Sequence, residues 1–174
     1  MKRAVVWSIA IFIGLLGSGS LADAPNVRTP APVIYLADNL DEAASLGWCI
    51  DTVGRGFSGQ LHAHSCKPQG GDVQFALVGE QGVIRSVAFP DYCMQVQSDQ
   101  TVPLGMATCE TENPAQQFKF TPETQAISPV SDMTSCIAVG TESRSAGPFM
   151  SRDLMLLPCE DVEPIYRSWV VVNE

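Results

Sequence analysis

Helical periodicity is nearly absent from this chain of 174 residues once its first two dozen residues are set aside, which leaves an all-β reading. The one helical candidate, DNLDEAAS at 38–45, is short and reads as a loop or a single turn. No later stretch approaches about 18 consecutive apolar residues, so the mature chain is expected to have no membrane span. No C-x-x-C pair occurs, and evenly spaced cysteine pairs do not build a tetrahedral metal site. A nucleophile elbow, a phosphate loop and a convincing histidine and serine pairing are all missing, and carboxylates are scattered across turns, so neither catalysis nor a cofactor is expected. Basic residues are scarce: ten Lys and Arg stand against nineteen Asp and Glu. Such a balance excludes long-range attraction to nucleic acid or to anionic membrane and favours solubility.

What is present begins with a targeting signal. Lys2 and Arg3 precede an apolar run from Ala4 to Leu16 and then the small residues GSGSLADA, the three regions of a secretory signal peptide. Residues 1–22 are read as that peptide, with cleavage after Ala22 and, as the alternative, after Ala24 before Pro25. Loss of Lys2 and Arg3 leaves a formal charge of about −11. Residues 23–32, holding Pro25, Pro30 and Pro32, are expected to form a disordered leader or tether. Residues 33–174 form the domain, in a secreted or periplasmic protein.

The cysteines carry the architecture. They fall into the pairs Cys49/Cys66, Cys93/Cys109 and Cys136/Cys159, whose first members are 44 and 43 residues apart. A fixed period of about 43 residues marks copies of one supersecondary unit, each too small to bury its own apolar face. Six cysteines permit many connectivities, but in an exported chain the repeat points to one disulfide inside each unit. Each closed loop is worth about 3 kcal/mol in the chain-entropy model.

Alignment of the units on these cysteines exposes apolar positions with period two, the mark of half-buried strands. Ile84 and Ile127 stand nine residues before Cys93 and Cys136, and Ile34 does the same across the insertion LDEAAS. Ile50, Met94 and Ile137 follow the first cysteines, with Thr52, Val96 and Val139 two further on. Leu61, Leu104 and Leu154, then Ala63, Met106 and Leu156, precede the second cysteines and should face the core. A last strand begins at Phe75, Phe118 and Trp169, backed by Leu77, Phe120 and Val171. A threefold all-β chain buries these faces by closing into a barrel, which also removes sheet edges.

Cys-Ile-Asp at 49–51, LHAHSCKPQGGDVQF at 61–75 and the threefold spacing resemble the ricin B-chain-type lectin domain, a β-trefoil, over roughly residues 33 to 172. The family's Q-x-W ending is degraded to Val73-Gln74-Phe75, Gln116-Gln117-Phe118 and Arg167-Ser168-Trp169. The resemblance implies one shallow sugar pocket per unit, and in unit one it assigns Asp51 as hydroxyl acceptor, His64 as stacking platform and His62 as the polar closing residue. Asp72 and Gln74 occupy the region of the family's Asn or Gln ligand. Gln95 and Ala138 replace the acid in units two and three, and Ala107 and Leu157 replace the ring, so those pockets are expected to be dead.

Each of these residues also has a plainer reading. Asp51 before Thr52, Val53 and Gly54 can simply cap a turn. His62 and His64 alternate with Leu61 and Ala63, so both are expected on one outward, exposed face; as an H-x-H pair they suit a metal, but no third ligand is identifiable. The leading expectation is an exported carbohydrate-binding protein, its partner a glycan or glycoconjugate held by unit one. The alternative is a degenerate trefoil serving as a protein-interaction module or as an accessory toxin or envelope subunit. TESRSAGPFMSRD, between Cys136 and Cys159, offers the one candidate for a protruding inhibitor loop.

Overall fold

Twelve strands and three short 3-10 helices make up the regular structure of the residues that the computed structural model describes, which are 23–79, 81–98 and 101–174. The expected signal peptide, residues 1–22, lies outside them. The strands form three sets of four. Unit one holds β1 (Val33–Leu36), β2 (Trp48–Thr52), β3 (Leu61–Ser65) and β4 (Phe75–Val78). Unit two holds β5 (Gln81–Ser86), β6 (Tyr92–Val96), β7 (Leu104–Thr108) and β8 (Phe118–Thr121). Unit three holds β9 (Ala126–Pro129), β10 (Ser135–Ala146), β11 (Phe149–Pro158) and β12 (Trp169–Val172). This is a β-trefoil.

First and last strands of the units build the barrel wall: β1 pairs with β12, β4 with β5, β5 with β8 and β8 with β9, all antiparallel. The two middle strands of each unit form the hairpins β2–β3, β6–β7 and β10–β11. Disulfides Cys49–Cys66, Cys93–Cys109 and Cys136–Cys159 tie one hairpin each, closing sequence separations of 17, 16 and 23 residues.

One core cluster collects the equivalent apolar residues of all three units. Ile34, Ile84 and Ile127 come from the first strands, Ile50, Met94 and Ile137 from the second, Leu61, Leu104 and Leu154 from the third. Phe75, Phe118 and Trp169 complete it from the fourth strands, each 0% exposed. Burial of a large apolar side chain stabilises by about 1.5–3 kcal/mol, and no single unit could cover these faces alone. Leu156 departs from the expected pattern: it is half-buried and outside this cluster.

Residues 23–32 lie on unit one: the Asn26 amide donates to Ser45 O at 2.7 Å and Thr29 Oγ1 to Lys67 O at 2.9 Å. Val27 packs beside Val33 and the Cys49–Cys66 bridge. Gly47, at φ +80°, lets Pro25 approach so closely that a Cβ there would come within 2.7 Å of the Pro25 Cβ. Apolar Val27 thus has a surface to cover, which composition alone conceals.

The long segment of unit three does not protrude as an open loop. Ser143 pairs with Arg152, Arg144 with Ser151, Ser145 with Met150 and Ala146 with Phe149, extending the β10–β11 hairpin. The far side of that hairpin is paired too, through Ser151 with His64 and Arg152 with Ala63 of β3. β11 is thereby held on both edges at Ser151 and Arg152, while β10 is an edge strand of the sheet.

Candidate functional site

In unit one the strand pairing Asp51 with His62 and Cys49 with His64 puts the acid and both imidazoles on the same side of the β2–β3 hairpin. Asp51 Oδ2 lies 3.7 Å from His62 Nε2 and 3.8 Å from His64 Nδ1, and the two imidazole rings are 5.3 Å apart. The shared face is as expected, but its exposure is not. His62 is 9% and His64 6% exposed, and Asp51 only 1%. The cause is β11, which adds alongside β3 and sets the Phe149 ring 5.5 Å from that of His64.

The centre of the cluster is a residue that the motif reading passed over. Lys67 Nζ donates to Asp51 Oδ2 at 2.8 Å and to Asp72 Oδ1 at 2.7 Å. Its position directly after Cys66, as the one cation in a motif holding Asp72 and facing Asp51, was the available signal. Burial pushes the Asp51 carboxyl up, but His62, Lys67 and His64 outweigh burial and hold it below its ordinary value of 3.8. Burial likewise opposes the Lys67 charge, yet the two carboxylates win and raise its pKa above 10.5.

His64 behaves differently. Burial is the largest influence and holds it below 6.5, against the opposing pull of the Ser65 carbonyl and Asp51. The ring is therefore neutral at pH 7, and its Nδ1–H donates to Ser65 O at 3.0 Å. Two polar atoms of the cluster, Asp51 Oδ1 and His62 Nε2, are buried with no hydrogen-bond partner.

Of the five residues assigned by resemblance, Asp51 and Asp72 pair with Lys67 and His62 and His64 lie against Asp51, whereas Gln74 stands apart. Gln74 Oε1 accepts from the Gly71 amide at 2.8 Å and its Nε2 donates to Pro30 O at 3.0 Å, so it anchors the leader. Phe149, which packs on His64, comes from a hairpin 85 residues further along the chain, where no local pattern marks it. Among the described residues no set of three or more His, Cys, Asp or Glu side chains is arranged to hold a metal ion.

Unit two is filled in another way. Gln116, 0% exposed, donates to Gln95 Oε1 at 3.1 Å and to Thr108 O at 2.8 Å, while its Oε1 accepts from the Glu110 amide at 2.7 Å. No helix of the described residues is long and apolar enough to cross a membrane.

Residues 40–167 match the model of the ricin-type β-trefoil lectin domain. No curated protein matches the chain. Among solved structures, the C-terminal half of the earthworm R-type lectin in complex with GalNAc is similar at 14% identity and a TM-score of 0.59, over 82% of this chain and 99% of that one. Cytolethal distending toxin from Actinobacillus actinomycetemcomitans is similar at 15% identity and 0.54, over 82% and 92%. The Haemophilus ducreyi toxin gives 15% and 0.53, over 92% and 94%. The chain belongs to the ricin-type β-trefoil lectin family.

Proposed function

We propose that this member of the ricin-type lectin family is an exported, non-catalytic recognition module whose first-unit sugar pocket is filled by its own side chains, and that it binds a protein, as an accessory subunit of a secreted or envelope complex. One observation carries this reading: Lys67 Nζ sits between Asp51 and Asp72 at 2.8 and 2.7 Å, on a carboxylate only 1% exposed. A sugar hydroxyl would have to displace an ion-paired ammonium from Asp51 and lift Phe149 from His64. The ammonium brings charge on both sides of its bond to Asp51, whereas a hydroxyl would bond the carboxylate with charge on one side only. Export is supported by the basic, apolar and small-residue succession at 1–22 and by three formed disulfides. The fold itself does not choose between partners, since it serves both a sugar-complexed lectin and toxin chains.

A second reading, glycan binding by unit one, is favoured by a separate observation. Asp51 Oδ1 and His62 Nε2 are buried without partners, and two vicinal hydroxyls reaching them would satisfy both. Calorimetric titration with galactose and N-acetylgalactosamine separates the readings. No binding at millimolar sugar is expected, together with one stoichiometric protein partner cross-linked to the exported chain in its native cell. Sugar binding abolished by Asp51→Ala overturns the protein reading and establishes the glycan one.

A further inference from the structure

Unit three keeps open the place that unit one fills. Met155 and Leu157 stand four and two residues before Cys159, as His62 and His64 stand before Cys66. Together with Val139 and Tyr166 they line a cleft of about 270 Å³, at whose edge lie Asp161 and Glu163. Immediately after the second cysteine, where unit one has Lys67, unit three has Glu160. The internal ammonium is thus missing here; Asp161 and Glu163 border the cleft on exposed positions, and Glu160 is exposed beside Cys159. None of the three takes part in an ion pair among the described residues. The neighbouring cation Arg167 directs Nε to the Val162 carbonyl at 3.0 Å.

We infer that this cleft receives a lysine side chain presented by the protein partner, an inference that rests on the protein-partner reading above. The floor is apolar, and Ala138 supplies no acceptor where unit one has Asp51, so sugar hydroxyls would lose water there without replacement. A lysine suits both parts of the cleft. Its methylene stem covers Val139, Met155 and Leu157 while the ammonium stays at the wet edge, within reach of Asp161, Glu163 and the ring of Tyr166. Unit one shows the same chemistry satisfied from within, by Lys67 between Asp51 and Asp72. A mature chain of about −11 also steers a basic surface toward itself.

The experiment is an amide-shift NMR titration of the full mature chain with N-acetyl-lysine methylamide, and with N-acetyl-norleucine methylamide as the uncharged match. Saturable shifts at Val139, Leu157 and Tyr166 with the lysine probe are expected, and norleucine should bind at least about fivefold more weakly. The surface variant Asp161→Asn/Glu163→Gln should weaken the lysine probe about fivefold. Absence of shifts at tens of millimolar, equal binding of both probes, or shifts mapping to another face each overturn the inference. A parallel galactose titration keeps the two ideas apart: binding lost in Asp51→Ala but kept in Asp161→Asn/Glu163→Gln defeats the protein-partner reading, whereas failure of the lysine probe alone defeats only the cleft.

Discussion

The guanidinium carbon of Arg152 lies 4.8 Å from the centroid of the Trp48 ring, so a cation from the hairpin of unit three stacks on the second strand of unit one. Arg152 is 2% exposed; its Nη1 donates to Gly140 O at 2.6 Å and Thr141 O at 2.7 Å, and its Nη2 pairs with Asp41. Trp48 is fixed from behind by Nε1, which donates to Asn39 O at 2.8 Å. The two insertions that break the threefold symmetry, at 37–47 and in β10–β11, are therefore fastened to each other around one cation.

Removal of that cation should be costly. Arg152→Met is expected to destabilise by about 2–4 kcal/mol, from lost cation–π stacking and two carbonyls left without donors. Asp41→Asn should cost less than about 1 kcal/mol, because that carboxylate is half-exposed. Urea unfolding gives both numbers. An Arg152 effect no larger than that of Asp41 would show that the fastening is superficial.

Lys67→Met strands Asp51 in a buried site. We expect a loss of about 3 kcal/mol near pH 7, the scale for breaking one side of a buried pair. With its cation gone, only His62 and His64 still oppose burial at Asp51 and its pKa rises, so the deficit against the parent chain should shrink as pH falls and the carboxyl takes up a proton. Denaturant midpoints of both chains at several pH values test this. A deficit independent of pH would locate the loss elsewhere.

The parent chain should have its own two-stage acid profile. His64 is held below 6.5 in the folded chain, so the unfolded chain binds more protons as pH falls beneath 6.5 and stability declines there. Asp51 is held below 3.8; its contribution is present above 3.8 and disappears only as pH falls through the still lower folded value. His64→Gln should flatten the first stage and leave the second. Retention of the first slope in that variant would assign it to another group.

Trp169 plugs the barrel from β12 at 0% exposure, and its Nε1 donates to Ile137 O at 2.8 Å. Trp169→Phe keeps a ring like those of Phe75 and Phe118 but orphans that carbonyl and leaves space. A cost of about 1–3 kcal/mol is expected, measured as a shift of the thermal midpoint with the disulfides intact. A neutral outcome would mean that the Ile137 carbonyl finds a new donor.

The architecture was written in short windows of sequence. Cysteine spacing and period-two alternation are local properties, and the residues they single out, from Ile34 to Trp169, fill one core because each strand of a repeat buries the same face. Asp51, His62 and His64 were singled out by the family resemblance, and strand register brings them to one face of the β2–β3 hairpin. How far that trio meets solvent was decided by packing beyond the β2–β3 hairpin. Pairing of Ser151 and Arg152 with β3, Phe149 on His64 and Lys67 between two carboxylates convert an expected open site into a buried ion-paired cluster. Burial is a property of what packs on top, and the hairpin that packs there belongs to another unit. The amino-acid sequence by itself thus determined the trefoil, its disulfides and the side chains of unit one, while the tertiary structure alone decided which of those side chains meet solvent.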